Sequence, residues 1–212
     1  YADLKHIDTL PRWTAPIIFL TLVGIVWLGV GIFVLFKQGG HAPFVLHFAT
    51  ICLTAFVFHV YKPLYLGEDF DLAINLLDNL AFALFAPLFL HFCLRYPVIS
   101  EVFDNSRWQT FLLYIPASLI TVGIFAFSII PQIALKLDLI DSIAPLLDKY
   151  DLLPNLYLAN FYHFVIFVAA GAGVLIRRFW RNHQTIVRQR LKWAMWGTIA
   201  AIAPIIVFQI AK

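Results

Sequence analysis

Long apolar stretches separated by short clusters of charge set the pattern of this chain. Uncharged runs lie between Arg12 and Lys37, His41 and Lys62, Asp78 and Arg95, Arg107 and Lys136, Asp151 and Arg177, and Lys192 and Lys212. A helix needs about 20 apolar residues to cross ~30 Å of hydrocarbon, and each run approaches that length. The run from Asp78 to Arg95 is the shortest, so its helix is extended back to Leu72, which puts Asp78 and Asn79 in its first turns. Segments such as 17–23 and 199–208 do not alternate apolar with polar residues, so they do not read as strands of a membrane barrel. The pattern therefore predicts an all-α, polytopic membrane protein of about six transmembrane helices in one domain. The spans are expected over residues 13–36, 42–62, 72–96, 108–131, 154–176 and 193–211. Pro97 is expected to end the third helix and Pro131 the fourth, because proline disfavours helical geometry in the residue before it.

Composition strengthens this picture. Of the 212 residues, 62% are hydrophobic and 13% charged, against roughly 45–50% and about 25% in a soluble domain. Mean hydropathy is +0.85. The two cysteines, Cys52 and Cys93, both fall inside spans and are expected to be packing residues rather than a disulfide.

Charge assigns an orientation, because loops on the cytoplasmic side carry the excess of Lys and Arg. Arg177, Arg178, Arg181, Arg188, Arg190 and Lys192 lie between the fifth and sixth spans with no acidic residue among them. That loop is expected in the cytoplasm, and alternation places both chain ends outside. The inner side then holds nine Lys or Arg against Glu101 and Asp104, and the outer side six against ten Asp or Glu. The basic stretch is expected to face anionic lipid, and helix six to continue into it, with Val187, Leu191 and Ala194 extending its apolar face. Pinned between two spans, it is not a nucleic-acid surface. Tyr1 is not preceded by a methionine or a signal sequence, so the chain is expected to be part of a longer one.

Small residues mark expected packing faces: Gly24, Gly29 and Gly31 in the first helix, and Ala169 with Gly173 in the fifth. Residues 133–153 read as an amphipathic outer connection lying at the interface, broken at Pro145.

Four of the seven histidines, His47, His59, His91 and His163, fall within spans, where ionisable groups are candidates for function. A rise of about 1.5 Å per residue sets His47 and His91 in one inner layer and brings His59 and His163 nearer an outer one. Hydrogen-bonded histidines with no cofactor are the favoured reading. Ligation of a b-type haem or a chlorophyll-type pigment is the alternative. Asn75, Asp78 and Asn79 share a helical face that could hold a cation or polar ligand. No motif of a hydrolase, metalloprotease, nucleotide-binding loop or dinucleotide fold occurs, so no catalytic residue is assigned.

The third span ends with Pro87, His91, Arg95, Tyr96 and Pro97, and the last connection reads Arg188, Gln189, Arg190, Leu191, Lys192, Trp193, followed by Gly197 and Pro204. This pair of features resembles the multi-helix membrane input region of bacterial sensor proteins, including competence-pheromone-type histidine kinases and related sensors with phosphatase outputs. The resemblance implies a module in the bacterial cytoplasmic membrane that transmits a signal to an output domain outside this chain. The partners it implies are lipids and other transmembrane subunits or a second copy. Neither a phosphoacceptor histidine segment nor an ATP-binding glycine box is present. An accessory subunit of an electron-transfer or photosynthetic complex is the alternative.

Overall fold

The computed structural model describes residues 15–38, 43–60, 68–96, 107–137 and 152–210. Among these residues there are six helices and no strand: α1 Ala15–Gln38, α2 Pro43–Val60, α3 Glu68–Arg95, α4 Arg107–Lys136, α5 Leu152–Arg181 and α6 Thr185–Ile210. Four of them, α1, α3, α4 and α5, contain stretches long and apolar enough to cross a membrane. The apolar part of α2, Phe44–Val60, is shorter.

Three boundaries differ from expectation. Helix α3 starts at Glu68, not Leu72, so Asp78 lies about three turns inside it. Pro131 does not end α4, which continues to Lys136 and also contains Pro116. Within a bundle, neighbouring helices and local adjustment satisfy the backbone groups that a proline frees. The basic stretch 177–192 is not a loop: helix continues through Arg181 and resumes at Thr185, leaving only residues 182–184 outside it. The amphipathic outer connection falls largely on residues 138–151, which lie outside the described residues.

Helix α3 is the hub. It packs against α2, α4 and α5, while α1 leans on α2 and α6 on α5. The sequence of α3 explains this role, because Phe82, Phe85, Phe89, Phe92 and Tyr96 recur at steps of three and four and form a continuous stripe. Phe85 meets Trp27 of α1 edge-on at 6.3 Å. Phe82 meets Phe58 of α2 at 4.9 Å and stacks on Phe164 of α5 at 4.8 Å. Phe92 meets Phe48 of α2 at 5.7 Å and stacks on Tyr96 at 4.9 Å. Between the rings, Ala83, Ala86 and Cys93 are fully buried.

Close approach depends on particular glycines. A Cβ at Gly31 would stand 2.6 Å from Cys52 Cβ, and one at Gly24 would stand 2.8 Å from Val60 Cγ2. These two, seven residues apart, form the seam with α2, whereas Gly29 faces open space. In α5 the expected pair does not form a contact: Ala169 is exposed and Gly173 has nothing near it. The residue that admits a neighbour is Gly171, where a Cβ would lie 2.7 Å from Phe89 Cε1.

The basic ends of α5 and α6 form one unit. Val187 and Leu191 are buried in the core and Ala194 packs against it, so α6 carries an apolar face through the basic segment. Trp108, Trp180, Trp193 and Trp196 are exposed around this same end, as amphipathic rings are at a headgroup layer.

This geometry makes an asymmetric prediction. Gly31→Ala overpacks the α1–α2 seam and lowers stability by about 1–3 kcal/mol, whereas Gly29→Ala leaves it unchanged or slightly raised. Thermal unfolding of the two variants in mild detergent measures the difference.

Candidate functional site at the basic end of the bundle

The polar interior at the basic end is built on three helices. His47 of α2 and His91 of α3 meet edge to face, with ring centres 4.5 Å apart. His47 Nε2 lies 2.9 Å from the carbonyl oxygen of Leu88 and must donate to it, which fixes the His47 tautomer. His91 Nδ1 lies 3.0 Å from the hydroxyl of Tyr114 on α4. Two hydrogen bonds, His47 to the α3 backbone and His91 to Tyr114, are thus joined by the contact of the two imidazole rings. Arg95 stands close enough to act electrostatically on both rings and on the phenol.

The shared depth of His47 and His91 agrees with the helical rise. As placed, the two rings stand closer together than a pair of axial haem ligands does. With metal–imidazole bonds of about 2 Å, two axial rings stand roughly 6 Å apart with the porphyrin between them. At 4.5 Å the two rings already touch.

His59 and His163 are both buried, in different settings. His59 turns back on its own helix, where Nδ1 donates to the carbonyl of Ala55 at 2.6 Å, and its ring lies edge-on to Phe58. His163 lies against Phe167 at 4.3 Å, and neither of its ring nitrogens has a hydrogen-bond partner among the described residues. One turn away, Asn160 is 1% exposed, and its side-chain oxygen has no hydrogen-bond partner among the described residues. Residue type alone does not mark Asn160. A lone asparagine three residues before a histidine inside an apolar run was the available signal. Phe164 stacks on Phe82, so Asn160 on α5 and Asp78 with Asn79 on α3 occupy the next turn outward on facing helices. Asn79 commits its amide to its own helix, donating to Asn75 O at 2.8 Å and Asn75 Oδ1 at 3.2 Å. The expected ligand face of Asn75, Asp78 and Asn79 is therefore partly self-satisfied. Among the described residues, no three His, Cys, Asp or Glu side chains gather in a metal-binding arrangement.

The six basic residues separate into different roles. Arg177, Arg181, Arg188, Arg190 and Lys192 are exposed, and the Arg188 guanidinium also lies over the Phe179 ring at 4.8 Å. Arg178 does not face lipid. It reaches across to the end of α3, where Nη1 donates to Tyr96 O and Nη2 to Leu94 O, each at 2.6 Å. The physical reason is the unsatisfied carbonyls that every helix leaves at its C-terminus, which attract a cation in a medium with little competing water.

Tyr114→Phe removes the hydroxyl from His91 and leaves the ring nitrogen without a partner. A double-mutant cycle of Tyr114→Phe with His91→Phe, read from unfolding in detergent, is expected to give a coupling of about 0.6 kcal/mol and no more than about 1.7. Arg178→Lys loses one of the two carbonyl contacts because an ammonium cannot reproduce the fork, so it should destabilise the protein nearly as much as Arg178→Gln. No protein-family model, curated protein or solved structure matches the chain.

Proposed function

We propose that the chain is the membrane-embedded input module of a sensor, which converts an event within the bundle into a shift of helices. The shift passes to an output domain outside this chain. The observation that carries this reading is the Arg178 fork. It ties α5 to the end of α3, and only three residues then separate α5 from α6. Movement of α3 is therefore conveyed to α5 and α6 together. On the other flank, the His47, His91 and Tyr114 contacts link α3 to α2 and α4, so α3 receives displacement from both sides.

Such polar ties suit a two-state device. They are few, directional and set in an otherwise apolar packing, so a small displacement exchanges one arrangement for another. The basic end is read as cytoplasmic on the bias of Lys and Arg, in a bacterial inner membrane, with both ends of this chain outside. A further crossing outside this chain then reaches the output.

Reading the complete gene product and assaying it tests the proposal. A kinase or phosphatase module is expected on the same polypeptide, and Arg178→Gln, compared with the parent at matched amounts in the membrane, should leave its output fixed when the stimulus changes. Recovery in fixed stoichiometry with redox or pigment proteins, in a gene product without such a module, would overturn it in favour of an accessory subunit.

A further inference from the structure

A cavity of about 730 Å³ opens between α1, α2, α3 and α6, within the roughly 300–1,000 Å³ range of small-molecule sites. Its walls are almost wholly apolar. Along α1 they extend from Phe19 to Val34, roughly 22 Å at the helical rise. That exceeds the ~15 Å depth of one leaflet's hydrocarbon, half of a ~30 Å core. The space is therefore long enough for an acyl chain.

The polar groups are gathered at one end. Arg190 and Tyr96 both line the cavity, and Arg190 is near enough to act on the Tyr96 phenol. Tyr96 sits just beyond the last turn of α3, and its phenol is an O–H donor. Its ring is held by the stack on Phe92 and the edge contact with Phe44. Described acidic residues occur only toward the opposite end of α3, at Glu68, Asp69, Asp71 and Asp78. A guanidinium and a hydroxyl thus face an apolar slot at the depth of the exposed tryptophans.

We propose that this cavity binds one anionic phospholipid, with its phosphate between Arg190 and Tyr96 and an acyl chain lying along α1 against α3 and α6. Charge complementarity selects the occupant. A neutral lipid satisfies the slot but not Arg190, and a free anion satisfies Arg190 but not the slot. Gly197 lines the chain-binding part, and the space where its Cβ would stand is open. The site is independent of the signalling reading, because binding is measured on this chain alone.

The test is native mass spectrometry of the intact chain in mild detergent, titrated with phosphatidylglycerol or phosphatidylcholine carrying the same acyl chains. One phosphatidylglycerol should be retained in preference to phosphatidylcholine. Arg190→Gln should weaken that retention about fivefold or more, the contribution of one headgroup-facing basic residue. Arg188→Gln and Lys192→Gln, on the same segment but off the cavity, should stay within twofold of the parent. Gly197→Phe introduces a ring where an added Cβ meets nothing within 4 Å, and should abolish selective retention while thermal unfolding stays as in the parent. Equal retention of the two lipids would overturn the proposal. So would losses from Arg188→Gln and Lys192→Gln matching that of Arg190→Gln, or unchanged binding by Gly197→Phe.

Discussion

An apolar side chain in hydrocarbon gains little by turning away from lipid, so helices in a membrane are held by shape and by a few polar ties rather than by exclusion of water. The architecture around α3 follows from that constraint. Its aromatic stripe supplies shape, with rings meeting α1, α2 and α5 in edge and stacked geometries, each pair contributing about 0.5–1.5 kcal/mol. Glycines supply the clearance, at Gly24 and Gly31 against α2 and at Gly171 against Phe89. The polar ties are then placed where they cross between helices: His47 to the α3 backbone, His91 to Tyr114, and Arg178 to the α3 carbonyls. Many large apolar residues, among them Val26, Phe33, Leu119 and Ile166, remain exposed on the periphery, as a lipid-facing surface requires.

The helices were legible in the sequence because length and charge spacing are properties of the chain read in one dimension. Depth was legible too: a constant rise was enough to bring His47 and His91 to one level. Facing was harder, since it depends on which neighbour comes close. Gly29 and Gly31 look alike in sequence, yet only Gly31 meets Cys52. Ala169 and Gly173 have the right spacing for a contact face but point outward, while Gly171 between them does the packing. Pro131 misled for a related reason, because a proline's effect on a helix depends on whether the surroundings satisfy the freed carbonyl.

Asn160 shows a different limit. Composition ranks it below histidine as a carrier of chemistry, yet at 1% exposed it is more deeply buried than His59, His91 or His163, which are 3–6% exposed. Burial of an amide with an unsatisfied oxygen is costly, and the cost becomes visible only when the packing around α5 is known. The Asn75, Asp78 and Asn79 face shows the converse. Its spacing suggested a site open to ligand, while the geometry turns part of its hydrogen bonding back along α3.

The basic segment carries the most instructive division. By charge alone Arg178 and Arg190 are equivalent, and a count of positive residues treats both as topological markers. Their positions on successive helices separate them. Arg178 lies one turn before the end of α5, within reach of the carbonyls that α3 leaves open, and its fork is filled by the protein itself. Arg190 lies on the second turn of α6, beside a slot with no acidic side chain among its described lining residues. One arginine therefore closes the bundle and the other leaves it chemically open, at the same level of the membrane and within twelve residues. Among the described residues the Arg178 fork ties α5 to the end of α3, and three residues join α5 to α6. A lipid bound as proposed beside Arg190 would therefore act on the helix next in the chain to the one that fork holds.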